Sequence, residues 1–156
     1  MLSWRRDEFE ITTDPSRIDR EAVYAFLATS YWAQGIPRDV FLRSLEHALP
    51  FSLWSPERQV GFARVVTDRA TFAYVGDVFV LEEHRGKGLS KWLMQVIVDD
   101  PRLEGFRRWM LATRDAHGLY AQSGFVPLSQ ATRWMERRPL HGYVPGAPDP
   151  LADAPG

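Results

Sequence analysis

Residues 78–90 read Val-Phe-Val-Leu-Glu-Glu-His-Arg-Gly-Lys-Gly-Leu-Ser, and this stretch decides the fold. An apolar, strand-like run passes within a few residues into a basic, glycine-rich loop. Beyond the loop, apolar residues recur at the spacing of one helical face, namely Leu89, Trp92, Leu93, Val96 and Ile97. The first amides of that helix are unpaired and carry a partial positive charge. We therefore expect the loop to bind a diphosphate, with Arg85 and Lys87 adding full charges.

Two well-known phosphate loops do not fit these residues. A Walker loop needs Gly five residues before its Gly-Lys pair and Ser or Thr after it, where this chain has Leu81 and Gly88. The dinucleotide fingerprint starting at Gly86 needs another Gly where Lys91 stands. An isolated basic glycine loop is also compatible with an ordinary turn, so a second motif is needed.

That second motif follows further along the chain. Residues 107–113 predict a short buried strand. Asp115 is predicted to cap a short helix that ends at Ser123-Gly124, where Gly can take the left-handed conformation that stops a helix. The helix carries Tyr120, for which a core aromatic role is the alternative to a functional one.

The two segments resemble the two signatures of the GNAT superfamily of N-acetyltransferases. The first signature, Q/R-x-x-G-x-G/A, appears as Arg85-Gly86-Lys87-Gly88-Leu89-Ser90, with Ser in the last place. The second, N-x-x-A-x-x-L-Y-x-x-x-G-F, appears as Thr113-x-x-Ala116-x-x-Leu119-Tyr120-x-x-x-Gly124-Phe125, with Thr replacing the opening Asn. The resemblance covers roughly residues 8–137, although only these two motifs are specific.

The resemblance implies an α/β (α+β) acyltransferase fold with a mixed, mostly antiparallel sheet flanked by helices, in the order β-α-α-β-β-β-α-β-α-β-β. The pattern of the chain agrees with this order. We predict strands over residues 8–13, 51–54, 59–66, 71–80, 107–113, 125–128 and 132–136, and helices over 16–29, 38–48, after the glycine loop and after Asp115. Pro127 weakens the strand at 125–128.

The resemblance also implies acetyl-CoA as cosubstrate and an amine as acceptor. In relatives, free main-chain groups of the strand before the loop bind the pantetheine arm. Carried over, the implied cofactor-binding residues are Val78, Phe79, Val80, Arg85, Gly86, Lys87, Gly88, Leu89, Ser90, Lys91 and Thr113. Tyr120 matches the family tyrosine beside the thioester sulfur, where its hydroxyl can protonate the leaving thiolate.

The general base is less well defined. Asp77 lies close to where some relatives carry a catalytic Glu, so it is a candidate base; pairing with an Arg or facing solvent is the alternative. His117 is either a proton relay or a surface residue. Glu82, Glu83 and His84 are expected to be solvated.

Acceptor choice is expected to lie in residues 29–37, which in this fold join the first two helices over the acceptor site. Tyr31 and Trp32 could stack on a flat or cationic acceptor, or they could belong to the core. A small-molecule primary amine is the default acceptor, with polyamine, amino sugar, antibiotic, amino acid and protein amine all open. The alternative function is a non-catalytic acetyl-CoA-binding sensor or partner-binding module on the same fold.

Composition excludes several classes of protein. With 156 residues, 45% hydrophobic content and a formal charge of −1, the chain predicts one acetyltransferase domain (1–138) and a proline-rich extended tail (139–156), without bulk attraction to nucleic acid or membrane. There is no cysteine and no signal-like apolar run at the N-terminus, so we expect a cytoplasmic protein. His47 and His141 have no partners at metal-ligand spacing, so no metal is expected. The oligomeric state is open, with a homodimer as one option.

Overall fold

A mixed sheet of six strands forms the centre of the computed structural model, which describes residues 1–137. The elements are β1 (Ser3–Arg6), β2 (Phe9–Thr12), α1 (Arg20–Thr29), α2 (Arg38–Glu46), β3 (Leu49–Trp54), β4 (Gln59–Thr67), β5 (Phe72–Val80), α3 (Leu89–Val98), β6 (Arg108–Met110) and α4 (His117–Ala121). The strands lie side by side in chain order, antiparallel from β1 to β5, and β6 runs parallel to β5. The predicted fold class, a mostly antiparallel sheet flanked by helices, is confirmed.

Each face of the sheet is covered by its own apolar cluster. On one face, α3 packs through Leu89, Leu93, Met94, Val96 and Ile97 against residues such as Phe51, Leu53, Val65 and Val75. On the other, α1 and α2 pack through Val23, Leu27, Phe41 and Leu45 against Phe62 and Phe79. The two helical layers therefore hold β4 and β5 from both sides, which fixes the strand that precedes the glycine loop.

A bulge interrupts β5 directly before that loop. Phe62 of β4 is opposite Phe79, and Arg64 is opposite Gly76, so β5 has one more residue between these pairs than β4. Asp77, within the bulge, has a positive φ of 55°, which is rare for a residue other than Gly. The bulge therefore places a strained residue in the middle of a sheet that is covered on both faces.

The bulge also changes which face each side chain of β5 occupies. Before it, Ala73 and Val75 pack in the α3 cluster. After it, Val80 packs in that cluster, whereas Phe79 packs in the α1 and α2 cluster. Strict alternation would put Phe79 on the same face as Val75. The extra residue thus directs Val80 toward the side of the glycine loop.

The N-terminal hairpin was not predicted. Only the strand at 8–13 was expected, and it is observed as β2, while β1 precedes it across a turn at Asp7 with φ 53°. Two successive arginines on β1, with half-buried and exposed side chains in alternation, hide its strand character in the sequence. The helix predicted from residue 16 begins at Arg20, because Asp19 accepts a hydrogen bond from the Ala22 amide and caps it there.

In the C-terminal part, one predicted strand is shorter than expected and two predictions were wrong. The strand expected over 107–113 is limited to β6, and the strands expected over 125–128 and 132–136 do not form. Pro127 has no N–H to donate, and Val126 is 79% exposed, so this segment has no buried face to hold it against the sheet. A single 3-10 turn, Ala131–Arg133, lies where the last strand was expected.

The cap of α4 also differs from the prediction. Asp115 was expected to cap the helix, but Ala116 is the N-cap residue and no side chain caps α4; the Thr113 hydroxyl accepts a hydrogen bond from the Ala116 amide at 3.0 Å, in the turn before the helix. Asp115 instead pairs with Arg114 at 3.2 Å. Thr113 therefore has a structural use at the start of α4, in the place where the family pattern has Asn.

The predicted tail, 139–156, and His141 lie outside the described residues. Within residues 1–137, none of the helices has both the length and the apolar character that crossing a bilayer requires.

We predict that Gly61→Ala destabilises the fold by about 1–3 kcal/mol, because a Cβ on Gly61 would lie 2.7 Å from the Phe79 carbonyl oxygen, a backbone atom that has little freedom to move. Gly118→Ala is the matched control, since a Cβ there meets nothing within 4 Å and Ala favours a helix. Urea unfolding measures both variants. Equal midpoints for the two would contradict the predicted close approach of β4 and β5.

Candidate active site

The glycine loop ends at the N-terminus of α3, as predicted. Gly88 is the N-cap with φ 69°, and Gly86 has φ 78°, both in the left-handed region that favours glycine. No side chain of the described part of the chain caps this helix. The amides of the first turn of α3 therefore remain available to an anion from outside the chain.

A cavity of about 180 Å³ lies against this loop. It is lined by Val80, His84, Arg85, Gly86, Gly88, Leu89, Ser90, Lys91 and Leu119. A Cβ built on Gly86 or Gly88 would meet nothing within 4 Å, so both glycines border open space. The cavity joins the end of β5 to the loop and to α4, which are the parts of the chain that carry the two sequence motifs.

Side-chain contacts tie the loop to β5 and to the N-terminal hairpin. Arg85 Nε donates to the Val80 carbonyl at 3.2 Å. Arg6 of β1 donates to the Lys87 carbonyl at 3.0 Å and, at a longer 3.5 Å, to the Gly88 carbonyl. Lys87 lies over the ring of Phe9, 5.4 Å from its centroid. Sequence reasoning missed Arg6, because β1 itself was not recognised.

One edge of β5 is open next to the cavity. The parallel pairing with β6 covers only the first residues of β5 and ends at the pair Tyr74 and Met110. From Val75 to Val80, the edge of β5 that faces away from β4 has no strand beside it among residues 1–137. Main-chain groups at such an edge need other partners, and an extended ligand can supply them.

Tyr120 lies on α4, one residue after Leu119 of the cavity lining. Its side chain is 8% exposed, packs edge-on to Phe125 with ring centroids 6.3 Å apart, and its hydroxyl makes no hydrogen bond within residues 1–137. Burial is the largest of the effects that raise the pKa of Tyr120 to about 12, and Tyr31, Tyr74 and Asp115 contribute smaller parts of the shift in that order. The phenol is thus a protonated donor without a partner in the described chain.

Asp77 projects from the bulge into a network of polar groups. Trp32 Nε1 donates to one of its carboxylate oxygens at 3.0 Å, and Arg64 Nε pairs with the other. This is the arginine pairing that the sequence left open as an alternative to catalysis. Burial raises the pKa of nearby Tyr74, and the negative charge of Asp77 adds to the shift. Arg64 was not identified from sequence, although a lone charge inside the apolar run of β4 is a detectable signal.

The segment between α1 and α2 contacts this network. Tyr31 accepts a hydrogen bond from the Arg114 amide at 3.1 Å, and the Arg114 guanidinium lies 4.0 Å from the centre of the Tyr31 ring. Tyr31 and Trp32 meet edge to face with centroids 5.0 Å apart, and both are half-buried. The segment thus links α4 to the bulge through aromatic side chains.

The other candidates are distributed as follows. The side chain of Phe79 stacks on the ring of Phe26, with centroids 3.8 Å apart, on the opposite face of the sheet, so it does not line the cavity. Glu82, Glu83 and His117 are exposed, and Glu83 pairs with Arg58. His84 borders the cavity and packs edge-on to Phe9, which was not expected from the sequence.

Comparison with known proteins identifies a family. The model of the acetyltransferase (GNAT) family matches residues 3–125. A Gibberella zeae protein provisionally named an acetyltransferase is 29% identical over 144 residues, covering 78% of this chain and 80% of its own length.

Solved structures agree with this match. A provisionally named GNAT acetyltransferase from Xanthomonas campestris pv. campestris has a TM-score of 0.82 and 46% identity, over 90% of this chain and 96% of that one. A Clostridium acetobutylicum protein named as a predicted acetyltransferase and solved with acetyl-CoA has a TM-score of 0.61 and 12% identity, over 83% of this chain and 94% of its own, and shares the fold alone. The chain therefore belongs to the GNAT family of acetyltransferases and is an acyltransferase.

Proposed function

We propose that this protein is an acetyl-CoA-dependent N-acetyltransferase that acetylates a primary amine of a small molecule by direct attack. The observation that carries the proposal is the cavity that joins the glycine loop, the end of β5 and α4. Its lining runs from the uncapped N-terminus of α3 to Leu119 of α4, and Tyr120, which is not itself part of the lining, is the next residue along that helix. A ligand with a diphosphate at one end and a thioester at the other matches this arrangement.

The residues present fit acetyl-CoA. The loop residues Arg85 to Lys91 offer unpaired amides, two glycines that border open space and basic side chains, which suit a diphosphate. The open edge of β5 at Val78–Val80 offers main-chain groups to the extended pantetheine arm. Thr113 supports the start of α4 on the far side of the cavity. The Clostridium acetobutylicum neighbour, solved with acetyl-CoA, supports the same ligand for this fold.

Tyr120 is the proposed general acid. When bound, acetyl-CoA supplies an acetyl group activated as a thioester. The phenol of Tyr120 is buried, protonated and without a hydrogen-bond partner within residues 1–137, so it is free to donate a proton to the leaving thiolate. Its raised pKa keeps that proton in place at the pH values at which an acceptor amine becomes nucleophilic.

Asp77 is better suited to positioning than to proton abstraction. Each of its carboxylate oxygens already accepts a hydrogen bond, one from Trp32 Nε1 and the other from Arg64 Nε. We therefore assign Asp77 to holding Trp32 and the bulge of β5 in place. In this scheme the acceptor amine loses its proton to solvent.

In this proposal, the acceptor amine binds against Tyr31 and Trp32. The two rings are half-buried and meet edge to face, and Tyr31 is close enough to Tyr74 and Tyr120 to raise the pKa of each, so an acceptor here meets mainly aromatic surface. The charges of Arg64 and Arg114 are balanced by Asp77 and Asp115. A small amine without a large net charge fits these surroundings.

Thiol release from acetyl-CoA in the presence of a panel of small primary amines tests this function. Release that depends on one class of amine is expected. Binding of acetyl-CoA without release on any acceptor would favour the sensor alternative, and the family assignment already favours an enzyme.

We predict that Gly88→Val abolishes acetyl-CoA binding, measured by calorimetry, because a branched side chain would fill the space beside the unpaired amides of α3. Gly105→Val is the matched control: Gly105 has a similar positive φ of 77° and open surroundings, but it does not line the cavity. Both variants carry the same backbone strain, so only the cavity distinguishes them. Equal affinity in the two variants would argue against the loop as the diphosphate site.

We predict that Tyr120→Phe lowers kcat at least about tenfold with little change in the KM for acetyl-CoA, because the variant loses the proton donor and keeps the ring. Tyr24→Phe serves as the control, since the Tyr24 hydroxyl binds the Ile36 carbonyl at 3.1 Å in the α1 and α2 layer. That variant should keep its kcat. A Tyr120→Phe enzyme with an unchanged rate would remove the phenol from this role.

The raised pKa of Tyr120 makes a further prediction about pH. Because the pKa is raised from 10.0 to about 12, mainly by burial, the acid stays protonated beyond the range of an ordinary phenol. The rate of the native enzyme at saturating substrates should show no loss from ionisation of this group up to pH 10.0. A decline that begins near pH 9 in the native enzyme and is absent in Tyr120→Phe would contradict this assignment.

A further inference from the structure

Arg6 makes three contacts with the glycine loop and with α3, the helix that follows it. Its guanidinium donates to the Lys87 carbonyl at 3.0 Å and lies 3.5 Å from the Gly88 carbonyl. It also lies 4.8 Å from the centre of the Trp92 ring, one helical turn further along α3. The side chain is half-buried, so these contacts are partly shielded from water.

The geometry of the peptide bond gives these contacts a directional effect. In a trans peptide, the C=O and the N–H of one unit point in opposite directions. The carbonyls of Lys87 and Gly88 share their peptide units with the amides of Gly88 and Leu89. Because Arg6 holds both carbonyls, it directs both amides away from itself, and Gly88 and Leu89 are residues of the cavity lining.

The loop needs such support. Gly86 and Gly88 both have positive φ, and glycine has more backbone freedom to lose than any other residue. Without an outside contact, the peptide unit between Lys87 and Gly88 can rotate, because only Gly88 belongs to the helical cap. A planar guanidinium that reaches two carbonyls restricts this rotation in a way that a single charge does not.

Strand β1, which carries Arg6, is itself anchored in the sheet. β1 pairs with β2 over four residue pairs, and β2 continues into the main sheet through β3. The start of β1 is closed by the bond from the Thr13 amide to the Leu2 carbonyl at 3.0 Å. Arg6 is therefore presented to the loop by the sheet and not by a free chain end.

We propose that Arg6 is a positioning residue for the diphosphate of coenzyme A: it holds the carbonyls of Lys87 and Gly88 so that the amides of Gly88 and Leu89 point into the cavity. The inference rests on the proposed function, because it needs acetyl-CoA to bind at this loop. It adds a residue that lies outside both sequence motifs and acts through the backbone of the loop.

The matched pair Arg6→Ala and Arg5→Ala tests the proposal. Arg5 precedes Arg6 on β1, is exposed and lies opposite Glu10, on the other face of the strand. Calorimetry with coenzyme A should give about tenfold weaker binding for Arg6→Ala, which corresponds to ~1.4 kcal/mol, and unchanged binding for Arg5→Ala. Steady-state kinetics should show a raised KM for acetyl-CoA with an unchanged kcat, and an unchanged KM for the amine.

Truncated ligands separate positioning of the loop from other effects. Acetyl-pantetheine has no diphosphate, so Arg6→Ala should use it as well as the native enzyme does. Dephospho-coenzyme A keeps the diphosphate but lacks the 3′-phosphate, so it should show the full tenfold loss. A loss that persists with acetyl-pantetheine would point to a general structural defect, and a loss that disappears with dephospho-coenzyme A would point to direct contact with the 3′-phosphate; either result overturns the proposal.

Arg6→Lys distinguishes positioning from simple attraction and also covers the case in which Arg6→Ala does not fold. Lys keeps the positive charge but presents a point charge in place of a fork that spans two carbonyls. We expect affinity for coenzyme A to stay several-fold below the native value, and full recovery would overturn the positioning role. If the native protein itself fails to bind coenzyme A, the proposed function fails, whereas equal binding by the native protein and Arg6→Ala refutes only the inference.

Discussion

The candidate site depends on two interruptions in the pairing of β5, one with β4 and one with β6. Toward β4 the strand bulges at Asp77, and toward β6 its pairing ends at Tyr74. A buried backbone group needs a hydrogen-bond partner, so a strand edge without a neighbour is costly unless water or a ligand satisfies it. The bulge also directs Val80 to the glycine loop and anchors Phe79 under α1. One irregular strand thus provides the open backbone and holds it rigid.

Much of the fold could be predicted from the sequence, because its central elements carry strong local signals. The helical spacing from Leu89 to Ile97 and the glycine loop before it locate α3, and the apolar runs locate β3 to β5. The family resemblance then supplied the arrangement of the sheet. These elements are the ones with a fully buried face, for which the periodicity of apolar residues is clearest.

The N-terminal and C-terminal segments were harder to predict from the sequence, for physical reasons. β1 consists largely of polar and half-exposed residues, and it is a strand because Trp4 packs on Phe51 and the backbone pairs with β2. The segment after Phe125 has strand-like composition, yet Pro127 and a lack of burial prevent it from pairing. Local propensity was overruled by the presence or absence of a tertiary partner in both cases.

The candidate site shows the same division. Residues of the loop were found because glycine and positive charge mark a backbone function in the sequence itself. Arg64 and Arg6 were missed because their roles arise from contacts between residues distant in the chain, Arg64 with Asp77 and Arg6 with Lys87. Thr113, by contrast, was identified through the family pattern, and its hydroxyl accepts a hydrogen bond from the amide of Ala116, the N-cap residue of α4.

The short parallel pairing of β6 has a mechanical consequence. Only three residue pairs join β6 to β5, whereas β3, β4 and β5 are joined along most of their length. Three residue pairs also join β2 to β3, but that pairing is antiparallel, whereas the pairing of β6 with β5 is parallel and slightly less stable per residue. The parallel pairing lies beside the cavity, and α4 follows β6 in the chain. Local opening of this pairing would widen the entrance for a long ligand while the layer of α1 and α2 stays intact.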